Sequence, residues 1–277
     1  MTYAVGYPCV RPFLDALASA LPPSEGRIHT DTEENVGWRL LEQQCETAVV
    51  PPSVPAWKHG ELSLVPGGAV SAVGPTNDIV LFFSPGLMTI RHIGTRSPEV
   101  YEILLAEVVL REKYRMTPTF HRWDGTVEEG LRRYDAVLLL DEDIPHGRVA
   151  PFHTLDLVDE WFDMTQLPFI RTVTAGWTHL LTKPFCDAVA TAASAVDARL
   201  LSDLEERLVR QGTTSGCESV PGHYRCILDA DVIEGLDVFF RFCFYHGLRR
   251  DIPSFHVWSE EERGTPGKPL DHGSPNG

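Results

Sequence analysis

The sequence lacks the short motifs that mark the commonest catalytic and cofactor sites. No two of its six cysteines form a C-x-x-C pair, which argues against a zinc knuckle. It has no P-loop and no G-x-G-x-x-G, and no serine stands in a G-x-S-x-G elbow. The histidines and acids show no spacing typical of a metal site. We therefore expect no metal and no cofactor.

The chain also has few basic residues and no long apolar run. Its 24 Lys and Arg are outnumbered by 39 Asp and Glu, and the formal net charge is −15. A field of that sign repels nucleic acid and anionic membranes, so we expect neither as a partner. The start, MTYAVGYPCVRPF, is typical of a β-strand rather than a signal peptide. The scattered cysteines favour buried thiols in a cytoplasmic protein.

The first half of the chain alternates short strands with helices. The pattern predicts strands and helices in a βαβαβ order, at Thr2–Gly6, Val10–Leu21, Arg27–Thr30, Asn35–Cys45 and Thr47–Val50. This order favours an α/β fold with a parallel, helix-covered sheet. Strands predicted at Leu62–Val65 and Ala69–Val73 flank a turn at Gly67-Gly68, and the apolar strand Asp78–Ser84 follows.

A second α/β unit follows, and the end of the chain is helical. Its predicted elements are Thr89–Gly94, Pro98–Tyr114, Thr117–Phe120, Val127–Tyr134 and Ala136–Leu140, followed by helices at Asp187–Arg210 and Ala230–His246. We predict one lobe from residues 1–84 and 175–258, an inserted lobe from 85–174, and a disordered tail at 259–277. Ligands of two-lobed folds bind in the cleft between the lobes.

One segment, DLVDEWFDMTQLPF at Asp156–Phe169, joins a helix to a strand. Spacings of three and four predict one buried helical face, formed by Leu155, Val158, Trp161, Phe162 and Thr165. Pro168 predicts that the helix stops at Leu167 and that an apolar strand, Phe169–Trp177, begins there. This segment is expected to return the chain from the inserted lobe.

Two loops of the first lobe carry candidate ligand-binding residues. Cys9 and Arg11 lie between the first strand and the first helix, where α/β sheets bind ligands. Arg11 can clamp a carboxylate, although a surface arginine in a plain turn fits equally well. Ser53 follows the strand Thr47–Val50, where its hydroxyl can either cap a helix or bind a ligand carboxylate.

Two loops of the inserted lobe carry the remaining candidates. Arg96 and Ser97 open the long helix, where Ser97 fits an N-cap and Arg96 fits an anion site. Asp141 and Glu142 follow the strand Ala136–Leu140 and are the candidate acid and base of a closed cleft. Capping of a short helix is the alternative for Asp141 and Asp143. His146 and His153 lie nearby but form no metal pattern.

The order of these pieces resembles the chorismate dehydratase family of the futalosine route to menaquinone, and its sister dihydroxynaphthoate synthase. The resemblance covers Tyr3 to Ile252 and rests on the first loop, the turn at Ala48–Ser53, V-L-F-F-S at Val80–Ser84, the helix ending in R-E-K-Y, D-A-V-L-L at Asp135–Leu139, the DLVDEWFDMTQLPF segment and Glu234–Phe240. The family usually has Asn where this chain has Cys9.

The resemblance implies a two-lobed, periplasmic-binding-protein-like (type II) fold with a helical C-terminal region. It also implies a carbon–oxygen lyase that dehydrates chorismate to 3-[(1-carboxyvinyl)oxy]benzoate, with a small carboxylate as its partner. Cys9, Arg11, Ser53, Arg96 and Ser97 would bind the substrate. The alternative is a non-catalytic or altered-specificity carboxylate binder on the same fold, and a transport receptor is a third. A homodimer is an open expectation.

Overall fold

The computed structural model describes residues 1–23, 26–58, 60–145, 152–211 and 222–260, with the side chains of 207–211 left out. The strands are β1 Thr2–Val5, β2 Ile28–Asp31, β3 Thr47–Val50, β4 Leu62–Val73, β5 Ile79–Phe83, β6 His92–Thr95, β7 Thr119–Arg122, β8 Ala136–Leu140, β9 His153–Asp156, β10 Phe169–Trp177 and β11 His223–Arg225. The helices are α1 Arg11–Ala20, α2 Glu33–Leu41, α3 Ser53–Trp57, α4 Glu102–Glu112, α5 Val127–Leu131, α6 Leu157–Thr165, α7 Lys183–Gln211 and α8 Ala230–Tyr245.

The strands form two sheets, one in each lobe. The first sheet has six strands in the order β11-β4-β10-β3-β1-β2, and the second has five in the order β7-β6-β8-β5-β9. In the first sheet β1 pairs in parallel with β2 and β3, while β10 runs antiparallel to β3 and β4. In the second, β6 is parallel to β7 and β8, and β5 is antiparallel to β8 and β9. The α/β fold class is confirmed.

The strands change from one sheet to the other at residues that differ from the expected lobe boundaries, 84/85 and 174/175. β5 was expected in the first lobe, but it pairs with β8 and β9 inside the second sheet. All of β10 belongs to the first sheet, although the boundary at 174/175 would cut it. The chain therefore crosses between sheets near Gly74–Asp78 and near Gln166–Pro168. The tail expected at 259–277 lies outside the described residues from 261 onward.

Helices cover both faces of the first sheet. On one face α1 and α7 enclose an apolar cluster that includes Phe13, Val49 and Val189. On the other face a larger core continues from α2 through α8 into the second sheet and α4. Tyr101 stacks on Phe169 there, with ring centroids 5.5 Å apart, so the two lobes share apolar contacts beside the cleft.

The expected turn at Gly67-Gly68 is wrong, because β4 runs unbroken through it. β4 pairs with β10 on both sides of these glycines, at Leu62–Leu64 and at Ala69–Ala72, with two register shifts. A Cβ on Gly68 would lie 2.6 Å from Cβ of Thr174 and 2.8 Å from a methyl of Val189 in α7. The two glycines do not reverse the chain. Because they have no Cβ, they let α7 pack close to the sheet.

The helix-to-strand joint is present, with altered ends. Leu155 lies in β9, and α6 starts after Asp156, whose carboxylate accepts from the amides of Val158 and Asp159 at 2.9 and 3.1 Å. Val158 and Trp161 are buried as expected, whereas Phe162 and Thr165 are half-buried. The helix ends at Thr165 rather than Leu167, because Gln166 is left-handed, with φ 58°.

The long helix of the second lobe starts later than its sequence suggests. Ser97 was expected to cap it, but α4 begins at Glu102, and residues 98–101 form a turn before it. Four cysteines, Cys45, Cys186, Cys226 and Cys243, are buried free thiols, whereas Cys217 lies outside the described residues. Within the described part of the chain, no helix combines the length and apolarity needed to cross a bilayer.

Candidate functional site

The candidate site lies where the two sheets face each other. Tyr7 and Cys9 follow β1, Ser53 follows β3, and β10 begins at the same edge of the first sheet. From the second lobe, Asp141 follows β8 and Tyr101 precedes α4. The carboxyl ends of parallel strands gather loops at one edge, and open α/β sheets bind ligands there.

A fully buried arginine holds the lobes together at this edge. Arg171, near the start of β10, has no exposed surface, and its Nε lies 3.2 Å from Oε1 of Glu102. Its Nη2 donates to both carboxylate oxygens of Asp141, at 2.9 and 3.2 Å. The guanidinium also lies 5.1 Å from the ring centre of Tyr7. One cation of the first lobe is thus paired with two acids of the second.

The backbone of Asp141 is strained at this contact. Its φ is 46°, in the left-handed region that costs an ordinary residue about 1 kcal/mol. Such strain persists only where surrounding contacts impose it. The Asp141 side chain accepts from Nη2 of Arg171, and its amide donates to the carbonyl of Asp78 at 2.8 Å, so contacts at both side chain and backbone hold it there. The carboxylate caps no helix, so the capping alternative fails for this residue.

The next two acids of the same loop pair with two more arginines. Oε1 of Glu142 lies 3.1 Å from Nη2 of Arg11, across the lobes, and both side chains are well exposed. Oδ1 of Asp143 lies 3.0 Å from Nη1 of Arg96, within the second lobe. Each acid of Asp141-Glu142-Asp143 therefore neutralises a different arginine of the cleft.

Beside this cluster, a groove of about 910 Å³ opens between the lobes. Ser53 and Trp57 of α3 form one side, Pro98–Tyr101 with Ile103 and Leu104 forms the other, and Leu248–Asp251 closes the end. Its volume is within the range of small-molecule sites. The groove is lined by both lobes and by the segment after α8, as a ligand cleft requires.

The groove combines an aromatic surface with guanidinium groups. Trp57 is 72% exposed, and the Arg249 guanidinium lies 5.4 Å from its ring centre. Nη2 of Arg249 donates to the carbonyl of Ala56 at 3.1 Å and pairs with Oδ1 of Asp251 at 3.3 Å. Arg250 lies on the same wall and is exposed. A planar, anionic ligand fits a wall of this kind.

Glu33 lies on the groove and also touches the Arg171 cluster. Thr32 caps α2 and makes Glu33 its first residue. The Tyr7 hydroxyl donates to Oε2 of Glu33 at 2.6 Å, and the amide of Tyr101 donates to Oε1 at 3.2 Å. Burial, and then the charge of Glu102, raise the pKa of Glu33 to about 7. Glu33 can therefore exchange a proton near neutral pH.

The same surroundings raise the pKa of several neighbours. Burial is the main cause of the raised pKa of Glu102, opposed by the charge of Arg171. Burial also raises the pKa of Asp78, whose carboxylate accepts from the Tyr224 hydroxyl. The thiol of Cys9 has its pKa raised by burial to about 11, so this cysteine is a neutral wall of the cluster rather than a nucleophile.

The predicted residues divide between the two parts of the site. Ser53 lines the groove, where it is the first residue of α3 and makes no capping bond, so its N-cap alternative is wrong. Cys9 and Asp141 lie at the Arg171 cluster. Arg11, Glu142 and Arg96 form ion pairs at its exposed side. Ser97 neither caps α4 nor lines the groove.

Sequence reasoning missed Glu33, Glu102 and Arg171. Arg171 had a usable signal, because a charge in the middle of an apolar strand is costly unless it is paired. Glu33 had none, since acids are common in the first turn of any helix. His153 stacks on Phe83 at 5.8 Å, and His146 lies outside the described residues. Among the described residues no group of three or more metal-ligating side chains occurs.

The fold is that of the periplasmic-binding-protein-like class. A protein from Archaeoglobus fulgidus matches with a TM-score of 0.59 and 13% identity, covering 90% of this chain and 98% of its own. An ABC transporter protein from Parabacteroides distasonis matches at 0.56 and 14%, covering 94% and 98%. The zinc-bound ligand-binding component of an ABC-type import system from Staphylococcus aureus matches at 0.53 and 12%, covering 96% and 95%.

The sequence narrows this class to one family. The model of the menaquinone biosynthesis family matches residues 4–200, more than two thirds of the chain. The chain belongs to this family, which confirms the resemblance noted from the sequence and supports a role in menaquinone biosynthesis. No curated protein sequence gives a significant match.

Proposed function

We propose that this protein is a chorismate dehydratase-like carbon–oxygen lyase that binds its substrate in the groove between the lobes. The observation that carries the proposal is the groove itself, which offers a hydroxyl at Ser53, an aromatic face at Trp57 and cations at Arg249 and Arg250. Family membership supplies the pathway. The proposed location is the cytoplasm.

The groove suits an anion that carries a ring and two carboxylates. One carboxylate would meet the exposed guanidinium of Arg250, and the other would meet the Ser53 hydroxyl. The ring would lie against Trp57, whose exposed face is otherwise costly to leave in water. Aromatisation drives the loss of water, so fixing the ring and its leaving hydroxyl supplies much of the catalysis.

The roles of Asp141 and Glu142 as acid and base stay predictions. Neither residue lines the groove, and each is paired with an arginine of the first lobe. Opening the lobes would break both pairs and expose Arg11 and Arg171 to a ligand carboxylate. Substrate binding by Cys9, Arg96 and Ser97 likewise stays a proposal.

The test is incubation of the purified protein with chorismate, followed by chromatography for 3-[(1-carboxyvinyl)oxy]benzoate. We expect turnover in the wild type and a KM raised about tenfold or more in Trp57→Ala, because the ring loses its stacking surface. Trp38→Ala is the matched control, since Trp38 is exposed on α2 and is absent from the groove. Absence of product at high enzyme concentration would refute the proposed activity.

A second candidate is a non-catalytic carboxylate binder. It is favoured by the pairing of both predicted catalytic acids with arginines. Thermal-shift titration with chorismate and 4-hydroxybenzoate separates the two functions. Stabilisation without turnover supports the binder, whereas stabilisation with product formation supports the lyase.

A further inference from the structure

We infer that Glu33 is the catalytic base of this cleft, taking the ring proton of the carboxylate substrate and returning it to the departing hydroxide. The inference rests on the proposed lyase function and assigns a role to a residue outside the predicted set. Glu33 is the acid that contacts both parts of the site, because it lines the groove and meets Tyr7 of the Arg171 cluster.

The position of Glu33 suits proton transfer to a bound ligand. Its carboxylate is fixed from two directions, by the Tyr7 hydroxyl and by the Tyr101 amide of the opposite lobe. Two hydrogen bonds leave further lone pairs of the carboxylate for a proton from the groove. Because one bond comes from each lobe, the base reaches its working position only when the lobes are together.

The other acids on the groove are less suited to the task. Glu99 is exposed and pairs with Arg122, and Glu107 pairs with Arg111 in the next turn of α4. Glu102 is fully buried against Arg171 and does not line the groove. Asp251 also lines the groove and pairs with Arg249 at 3.3 Å. Among these described acids, Glu33 is the one that accepts from neutral donors rather than from an arginine.

Burial, and then the charges around Glu33, set its protonation. The groups that act on it are Tyr7 of the β1–α1 loop, Tyr101 before α4, Glu102 of α4 and Arg171 of β10. The charged residues that line the same groove are Glu99, Glu107, Arg249, Arg250 and Asp251. Burial and Glu102 raise its pKa to about 7, while Tyr7, Tyr101 and Arg171 oppose them. A base with this pKa is matched to work at neutral pH.

The reaction balances without any other reactant. The Glu33 carboxylate accepts the ring proton, and the electrons of that C–H bond form the new ring double bond. The C–O bond to the ring hydroxyl breaks, and hydroxide leaves with the electron pair. Hydroxide then takes the proton from Glu33 and departs as water, which restores the carboxylate.

The test compares Glu33→Gln with Glu34→Gln in the chorismate assay. Gln keeps the size and acceptor oxygen of Glu33 but cannot take the proton, so kcat should fall about 100-fold or more with KM changed less than about threefold. Glu34 is the next residue of α2, is exposed and does not line the groove, so its variant should match the wild type. Glu33→Asp should recover part of the lost kcat.

Two pH measurements exclude a merely structural effect. The wild-type kcat should rise with pH through about 7 as the carboxylate forms, and any residual activity of Glu33→Gln should lack that step. Carbon NMR of ¹³C-carboxyl-labelled glutamate should show one resonance that titrates near pH 7 and is missing from Glu33→Gln. Folding of the variants is checked by their retained binding of chorismate.

The outcomes of these assays distinguish the role of Glu33 from the proposed lyase activity. If the wild type does not dehydrate chorismate, the proposed function fails and the catalytic role fails with it. If the wild type is active and Glu33→Gln keeps more than about a tenth of its kcat, only the role of Glu33 is overturned. Activity in the wild type, loss in Glu33→Gln and the shared pH midpoint together support it.

Discussion

Replacing Arg171 by methionine should lower stability sharply, by an amount that depends on pH. Methionine has a similar length but no charge, so Glu102, with 1% of its side chain exposed, would remain buried without a cation. Asp141, with 14% exposed, would lose its bidentate partner. Removing one partner of a buried ion pair costs about 3–5 kcal/mol. We expect the free energy of unfolding to fall by that amount at pH 8.

The loss of stability in Arg171→Met should depend on pH because Glu102 remains buried without its cation. In the variant, protonation of Glu102 removes the uncompensated charge, so the pKa of Glu102 should rise further and the loss should shrink at pH 5. Adding Glu102→Gln to Arg171→Met should likewise restore part of the stability at pH 8. Unfolding in urea, followed by tryptophan fluorescence and circular dichroism, measures each value.

Arg11→Met is the matched control for the buried pair. Arg11 also bridges the lobes, to Glu142, but the two side chains are 63% and 71% exposed. Pairs of that kind contribute at most about 1 kcal/mol. If Arg171→Met and Arg11→Met have similar free energies of unfolding, or if Arg171→Met loses more at pH 5 than at pH 8, the reasoning about burial is wrong.

Three further outcomes can be measured on the same protein. The wild-type free energy of unfolding should fall between about pH 5 and pH 7, because the raised pKa of Glu33, about 7, makes the native state bind more protons than the unfolded chain there. Urea titrations should give a flatter pH profile for Glu33→Gln. A wild-type free energy of unfolding that rises steadily over this range would contradict the role of Glu33. Gly68→Ala should lower the free energy of unfolding by about 1–3 kcal/mol, because the added Cβ would meet Thr174 and Val189. Gly6→Ala, with open space around its Cβ, should lower it by less than about 1 kcal/mol. Equal thermal stability of the two variants would be evidence against close packing at Gly68. Asp141→Ala should be about 1 kcal/mol less stable than Asp141→Asn, since Asn tolerates a φ of 46° better. If unfolding in urea shows Asp141→Asn to be the less stable variant, the backbone at this position is not strained.

The sequence predicted the fold better than the ends of its elements. Alternating apolar runs were enough to find β1, β3, β5 and β8, since buried strands have little freedom in composition. The start of α4 was misplaced because Ser97-Pro98 is a standard helix-opening pair. In the structure the amide of Tyr101 is satisfied by Glu33, a residue 68 positions earlier. No local pattern can reveal a partner supplied by the other lobe.

The candidate site shows the same division between local and distant information. The loops at Cys9, Ser53 and Asp141 were found because they follow strand ends, a local feature. Their partners were not, because ion pairs across lobes depend on how two sheets meet. Arg171 had been included in an apolar strand, where its charge was the one local sign of a distant acid. Nothing in the local sequence indicates that Glu33 belongs to the site, because only the closed cleft distinguishes it from its exposed neighbour Glu34.

The distribution of charge explains how an acidic protein can admit an anionic substrate. The net charge of −15 opposes binding at a distance, and the Arg171 cluster is itself crowded with acids. The acids of the 141–143 loop neutralise Arg11, Arg96 and Arg171, so these arginines offer little to a ligand while the lobes are closed. In the groove, Arg249 pairs with Asp251 at 3.3 Å, whereas Arg250 is exposed. A dicarboxylate should therefore bind first beside Arg250, in the groove that Glu33 also lines.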